Sequence, residues 1–362
     1  MSRKLFAPLL ILATAIALPA PMPVSASSTR YVYTDLGVLG GLASQAWSLN
    51  NQGQVVGHAD TAPGSGRTGF HAFLWNPTTP NGTSGVMIDL GALRGDALSN
   101  AFAINDSGQV VGVSMAADGT RAFIYDGSLH ELGDQTTAYA INNLGRVAGS
   151  SQDSTGVDHP FLWVPNKPAD TKGRFYDLGV PAGSPGASTS AINSEGTVVG
   201  GFFDADFYGH AFVWLPAAPN GTSGVMTALV EPAGTINSFV QAINDDGLIV
   251  GTMNNGVVDR GFVYGDNAMH DLGTFPGGTN SFAYDINSSG QIVGYADTAV
   301  RSNDHAFIYE AGVMTDLNKL LPGSVKSGGV VLTAAYGIND AGQIVGAAIV
   351  GGQRHGFLLT PA

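Results

Sequence analysis

One phrase recurs seven times along this 362-residue chain and limits the fold more than any other feature. It is an apolar residue, Asn, two variable residues, Gly, and a β-branched segment that itself ends in Gly. It reads LNNQGQVVG at Leu49, INDSGQVVG at Ile104, INNLGRVAG at Ile141, INSEGTVVG at Ile192, INDDGLIVG at Ile243, INSSGQIVG at Ile286 and INDAGQIVG at Ile338. The marker asparagines Asn50, Asn105, Asn142, Asn193, Asn244, Asn287 and Asn339 are 55, 37, 51, 51, 43 and 52 residues apart. Self-similarity at a period of about 40–50 residues signals a repeat architecture, not a set of unrelated domains.

Two more phrases keep the same beat. HAFLW at His71 returns as RAFIY at Arg121, HPFLW at His159, HAFVW at His210, RGFVY at Arg260, HAFIY at His305 and HGFLL at His355. An acidic-Leu-Gly turn occurs at Asp35, Asp89, Glu131, Asp177 and Asp271, with Asp-Leu-Asn at Asp316 and a degenerate copy at Ala228-Leu229-Val230. Each repeat therefore offers four strand-length segments, which in the second repeat are Ser99–Ile104, Gln109–Val113, Arg121–Tyr125 and Ser128–Leu132. They are rich in β-branched and aromatic residues and bounded by turn formers. In the Asn-x-x-Gly link, Asn closes a turn with its side chain and Gly supplies the positive φ of a short hairpin loop.

Four strands per unit of this size is a propeller blade. The expectation is an all-β, seven-bladed β-propeller; a right-handed β-solenoid is the alternative, though it accommodates such uneven spacing less easily. Two phases fit the order of phrases. In one, each blade begins with the Asn strand, the seventh blade lacks its fourth strand, and Tyr31–Leu36 supplies it beside His355–Leu359. In the other, each blade begins with the acidic-Leu-Gly strand and no exchange is needed. We favour the first, with small inner-strand residues such as Ala101 and Ala138 suited to a crowded axis. PNGTSGVM at Pro80 also reappears unchanged at Pro219, 139 residues on, so blades 1–3 and 4–6 read as a duplicated triplet.

Composition fits this picture. Only 12% of residues are charged and 51 are Gly, which disfavours a helical bundle, while 44% hydrophobic residues disfavour disorder. A net charge of −13 argues against nucleic acid and anionic membranes as partners. Without Cys there can be no disulfide, thiol catalysis or Cys-ligated zinc.

Arg3 and Lys4, an apolar run over Leu5–Leu18, and Val24-Ser25-Ala26 have the layout of a secretory signal. We expect residues 1–26 to be cut after Ala26, leaving 27–362 as one propeller domain, secreted to an extracellular or periplasmic bacterial setting, monomeric and not inserted in the membrane.

The phrases around His71, Asn50 and Asp35 resemble the HAF-repeat family of bacterial extracellular proteins. The resemblance covers essentially everything after the leader and implies a secreted repeat protein with no assigned reaction. It supplies no catalytic residues. Some relatives carry a C-terminal sorting tail, which the ending Thr360-Pro361-Ala362 does not resemble.

Five histidines sit in the HAF phrase. A ring of metal ligands is one reading, but Arg121 and Arg260 occupy the same position and cannot bind a cation. A repeated structural hydrogen bond, to a turn carbonyl or to the Asp of a neighbouring turn, is the better expectation. The acids of the Leu-Gly turns obey the repeat symmetry, whereas a catalytic pair breaks it, so they read as turn caps. His58 stands alone. Among the variable loops, blade 4 departs most, with Phe202, Phe203, Asp204, Asp206, Phe207 and Tyr208. Aromatic faces stack on sugars, and carboxylates take hydroxyls or Ca²⁺. This loop is the candidate ligand site, for a glycan or an envelope or extracellular protein; the plainer reading is a hydrophobic loop packed on its neighbour. No catalytic, cofactor or metal-binding motif is found, and no cofactor beyond Ca²⁺ is considered. A binding scaffold is the leading expectation; the alternative is a lyase or glycoside hydrolase using carboxylates in the central pocket.

Overall fold

Seven four-stranded antiparallel sheets follow one another along the chain, one per repeat. The computed structural model describes residues 30–61, 69–300 and 304–362, so the leader at 1–26 lies outside the described residues. In the second repeat the strands run Leu98–Ile104, Val110–Ala116, Gly119–Tyr125 and Leu129–Asp134, each overlapping its expected segment. The inner strands are Gly40–Leu49, Leu98–Ile104, Thr136–Ile141, Ala187–Ile192, Asn237–Ile243, Ser281–Ile286 and Val331–Ile338. Each touches the next, and the last touches the first. The protein is an all-β, seven-bladed propeller. Among the described residues the helices are two short ones, Leu317–Leu320 and Gly323–Ser327, between blades 6 and 7.

The N-terminal strand closes the ring. Tyr31–Asp35 forms the outer strand of blade 7, antiparallel to Gln353–Pro361, with Tyr31 opposite Pro361 and Asp35 opposite Phe357. Two further backbone bonds, Leu36 N–H to Gly356 (3.0 Å) and Ala362 N–H to Arg30 (2.8 Å), extend the seam. The phase that begins each blade at the Asn strand is the one adopted.

The core lies between blades, not within them. The HAF phenylalanines Phe73, Phe123, Phe161, Phe212, Phe262, Phe307 and Phe357 are all buried. Phe123, for example, packs with Val110 and Ile104 of its own blade against Val56 and Leu74 of blade 1. A sheet that is apolar on both faces must be covered on both, which explains the low charge of the strands.

The recurrent Gly, third in the second strand of each blade as at Gly57 and Gly112, has a steric cause. Every inner strand carries a bulge, as between Ala46 and Ser48 or Ala101 and Ala103, and the Gly stands opposite it. A Cβ on Gly57 would collide with the carbonyl oxygen of Gln45, and one on Gly112 with that of Asn100.

One expectation needs correction. The inner-strand alanines do not face a crowded axis: Ala46, Ala101 and Ala138 are buried in the layers between blades. The alternate positions, three before each marker Asn, hold Trp47, Phe102, Tyr139, Ser190, Gln241, Tyr284 and Tyr336. The rings Trp47, Phe102, Tyr139, Tyr284 and Tyr336 are only half-buried. Strand alternation sends the small residues into the layers and leaves the large ones beside the channel.

Candidate functional site

The repeated polar residues form two bonded systems. In the first, each HAF histidine meets an acid on the outer strand of its own blade through Nδ1: His71 to Asp89 (2.9 Å), His159 to Asp177 (3.1 Å), His305 to Asp316 (3.0 Å) and His355 to Asp35 (2.9 Å). In blade 4, where the Leu-Gly acid is lost, Glu231 replaces it at 3.2 Å from His210. Arg260 takes the same place opposite Asp271 at 3.5 Å, while Arg121 turns to Asp96 and Asp118, each at 2.7 Å. The acids also cap their turns, as Asp89 does by accepting the Gly91 N–H at 2.7 Å. His355–Asp35 links the two ends of the chain, so the repeated pair also locks the ring. Adjacent blades are joined by a hydroxyl that accepts the N–H after the His or Arg: Ser99 from Ala72, Thr136 from Ala122, Ser238 from Ala211, Ser281 from Gly261 and Ser44 from Gly356.

The second system is a ring of asparagines at one end of the axis. Asn50 Nδ2 donates to the carbonyl of Asn105, Asn105 to Asn142, Asn142 to Asn193, Asn193 to Asn244, Asn244 to Asn287, Asn287 to Asn339, and Asn339 back to Asn50, at 3.0–3.3 Å. The side-chain oxygens brace the turns, as Asn339 Oδ1 accepts from Gln343 N–H at 2.9 Å. These asparagines and the residues after them line a funnel of about 250 Å³ that includes Asp106, Asp245 and Asp340. Its carboxylates are engaged: Asp106 accepts from Asn51 N–H and Asp340 from Ser288 N–H. Burial pushes Asp340 upward, but the bonds from Ser288 and Asn51 outweigh it and hold the carboxyl below its usual range.

Below the ring, Asp285 breaks the symmetry. The other blades have Ser48, Ala103, Ala140, Ala191, Ala242 and Gly337 at this position. Asp285 accepts the N–H groups of Ile338, across the blade boundary, and of Ile286, both at 2.9 Å. Burial raises its pKa to about 7, against the pull of those two bonds and helped by the charge of Asp340. Among the described residues, no group of three or more His, Asp or Glu is placed to hold a metal ion.

The blade 4 loop is a braced hairpin. Asp204 Oδ1 accepts from the N–H groups of Asp206 and Tyr208, and Asp204 Oδ2 lies 3.3 Å from His210 Nε2. Asp153 in blade 3 makes the equivalent turn through Thr155 and Val157, so this acid belongs to the scaffold. Phe202 packs on His210, whereas Phe203, Phe207 and Tyr208 remain exposed, Phe207 at 73%. Phe207 has a left-handed φ of 65°, which turns its ring outward. Phe239, exposed on the blade 5 inner strand, lies beside Gly209 and extends the cluster.

A further constellation, on blades 6, 7 and 1, was not singled out from the sequence. Trp47 and Tyr336 have ring centroids 4.7 Å apart, Tyr336 meets Tyr284 edge-on at 4.9 Å, and Tyr284 stacks with Tyr295 at 5.8 Å. His58 accepts the Trp47 indole N–H at Nδ1 (3.2 Å) and packs on Phe70. Burial lowers the His58 pKa, consistent with a neutral ring accepting that bond. The signal was present as aromatic residues three before the marker Asn in five of seven repeats. It needed the knowledge that this strand is innermost.

Residues 187–357 match a family described as a protein of unknown function (DUF3466). No curated protein matches the chain. Among solved structures, the propeller domain of the Trilobed protease from Pyrococcus furiosus is similar at 7% identity and a TM-score of 0.55, covering 88% of this chain and 95% of that one. It is described as having an open velcro topology, whereas Tyr31–Asp35 closes the ring here. An acylaminoacyl peptidase in complex with Z-Gly-Gly-Phe-chloromethyl ketone is similar at 9% identity and a TM-score of 0.56, covering 89% of this chain; the chain spans 51% of that protein. TolB from Acinetobacter baumannii aligns at 14% identity and a TM-score of 0.43, over 85% of this chain and 80% of that one. At 7% and 9% identity, the first two likenesses show a shared fold alone. Among the described residues, no helix is long and apolar enough to cross a membrane.

Proposed function

We propose that this chain is a secreted, non-enzymatic scaffold of the HAF-repeat type, acting as a monomer outside the cytoplasm. It binds a glycan or an envelope or extracellular protein across the loop face of blades 4 and 5. One observation carries the reading: Phe203, Phe207, Tyr208 and Phe239 are exposed together at the edge of a rigid propeller. Exposed aromatic clusters on loops held by a scaffold serve as interaction surfaces. Phe202 supports the lip from beneath, Asp204 fixes its turn, and Asp206 offers a carboxylate to hydroxyls or to Ca²⁺. A glycan array and a pull-down from envelope extract test it, with Phe207→Ser in parallel. Binding that falls at least about tenfold in the variant supports the lip. Undiminished binding in the variant contradicts it.

A second reading, a carbohydrate-active enzyme, has one observation in its favour. Asp285 and Asp340 lie near the axis with their pKa values pushed apart, a pattern that acid–base pairs share. Both carboxylates are occupied by backbone N–H groups, which favours a stapling role. Release of shortened oligosaccharides, abolished by Asp285→Asn, would establish the enzyme instead.

A further inference from the structure

The inner face of blades 6, 7 and 1 carries chemistry that the repeat does not require. Most polar groups on the motif positions recur from blade to blade, whereas the joining of His58, Trp47, Tyr336 and Tyr284 occurs once among the described residues. Trp47 and Tyr336 are half-buried on adjoining innermost strands, with their ring centroids 4.7 Å apart. The inner strands of blades 4 and 5 have Ser190 and Gln241 at the same position, whereas blades 6, 7, 1, 2 and 3 have aromatic residues there.

The position just before the His or Arg of the HAF phrase adds two charges. It holds Phe70, Thr120, Asp158, Gly209, Asp259, Asp304 and Arg354 in successive blades. Arg354 is exposed, and among the described residues it pairs with no carboxylate. Its Nη1 instead donates to Gln45 Oε1 at 3.3 Å, on the next inner strand and two residues before Trp47. Asp304 begins the blade 6 strand Asp304–Glu310, which packs on the inner strand of blade 7 that carries Tyr336. Both charges act on the Tyr336 hydroxyl, with opposite sign. Opposite charges on either side of a stacking platform suit a ligand that both donates and accepts hydrogen bonds while carrying no net charge, because an ionic ligand gains from one arm what it loses to the other.

We propose that this arc is a second binding site, for a neutral pyranose sugar, with Trp47 and Tyr336 as the stacking platform and Arg354 and Asp304 as the arms that meet its hydroxyls. The site occupies other blades than the Phe207 lip and stands independently of it.

Tryptophan emission reads the site directly. Trp75, Trp163 and Trp214 are buried to within 3% of full coverage, which leaves Trp47 as the tryptophan a ligand can reach. The mature protein is titrated with cellohexaose and laminarihexaose as neutral probes, and with hexagalacturonate and chitosan hexamer as charged ones. Calorimetry runs alongside on the wild type, Trp47→Ala, Arg354→Gln, Asp304→Asn and Phe207→Ser. At least one neutral probe is expected to shift the emission and release heat. Trp47→Ala abolishes that binding, each arm variant weakens it about tenfold, and Phe207→Ser leaves it unchanged. The inference is overturned if no neutral probe binds at about 10 mM, if a charged probe binds as well as the neutral ones, or if Phe207→Ser rather than Trp47→Ala removes the binding. Loss in Phe207→Ser alone would sink the arc and keep the lip. Circular dichroism of every variant separates misfolding from lost contact.

Discussion

The HAF histidines and the inner-strand aromatics both come from repeated positions, yet they behave in opposite ways. Each HAF histidine keeps its acid, and where the turn decays in blade 4, Glu231 moves in to restore the pair for His210. The aromatic position instead drifts to Ser190 and Gln241 on one side of the ring and keeps Trp47, Tyr284 and Tyr336 on the other. A residue that every blade needs for folding tolerates only compensated change. A residue free to differ between blades can be shaped by what the channel holds. Symmetry therefore separates the groups that hold this protein together from those available to bind.

Substitutions can break or sharpen that contrast. The largest effect is expected at a symmetric core position. Phe307→Ala, in the layer between blades 5 and 6, is expected to cost about 3–5 kcal/mol in denaturant unfolding while leaving sugar-induced Trp47 emission intact. Asn339→Ala comes next. It removes the bond that closes the asparagine ring on Asn50 and leaves the Gln343 N–H without its acceptor, for a loss of about 2–3 kcal/mol. An unchanged midpoint would mean that the ring is ornamental.

Asp285 tests an asymmetric group that serves the scaffold. Its folded-state pKa, about 7, lies above the value of an unfolded Asp. Its contribution is therefore fully present below about pH 4 and is lost as pH rises through 7. Unfolding free energies across pH 4–8 should decline from this group, and Asp285→Ala, which restores the small residue of other blades, should flatten that decline by up to about 4 kcal/mol. A variant whose pH profile parallels the wild type removes the linkage.

His210 is the smaller case. Burial lowers its pKa, but Glu231 and Asp204 outweigh that and hold the imidazole above its ordinary value. Its stabilisation is thus present below about pH 6.5 and is lost as pH rises through the raised folded value. An NMR titration of the imidazole should show a midpoint above the ordinary histidine value, and His210→Gln should change stability by less than about 1 kcal/mol.

Much of the fold was legible because the repeat states its own geometry. The Asn-x-x-Gly turn, the alternating strand and the chain order of the phrases left two phases, and the pairing of Tyr31–Asp35 with Gln353–Pro361 decides for the favoured one. The PNGTSGVM duplication also has the expected counterpart in space: Asn81 and Asn220 both adopt left-handed φ, 57° and 56°, and donate to the carbonyls of Asn51 and Ser194 in the adjoining turn. Contacts between repeats were harder to read. Pro160 lacks the N–H that other blades donate across the boundary, and Ala187 lacks the hydroxyl that would receive it. Both residues are plain in the sequence, but only the packing of blade 3 on blade 4 makes them a pair. The aromatic arc stayed hidden for the same reason, since its members come from strands some 50 to 290 residues apart. The blade 4 loop was conspicuous through local composition alone. Phe203, Phe207 and Tyr208 are exposed, while Phe202 packs on His210 and Asp204 is spent on the turn.

The separation of holding from binding is tested most directly by a crystal of the mature protein soaked with the neutral oligosaccharide that shifts Trp47 emission. A pyranose ring within about 4 Å of Trp47 and Tyr336, with hydroxyls on Arg354 and Asp304, is the expected result. A sugar seated in the asparagine funnel or on a His–acid pair would contradict the account, because the binding groups would then be the symmetric ones.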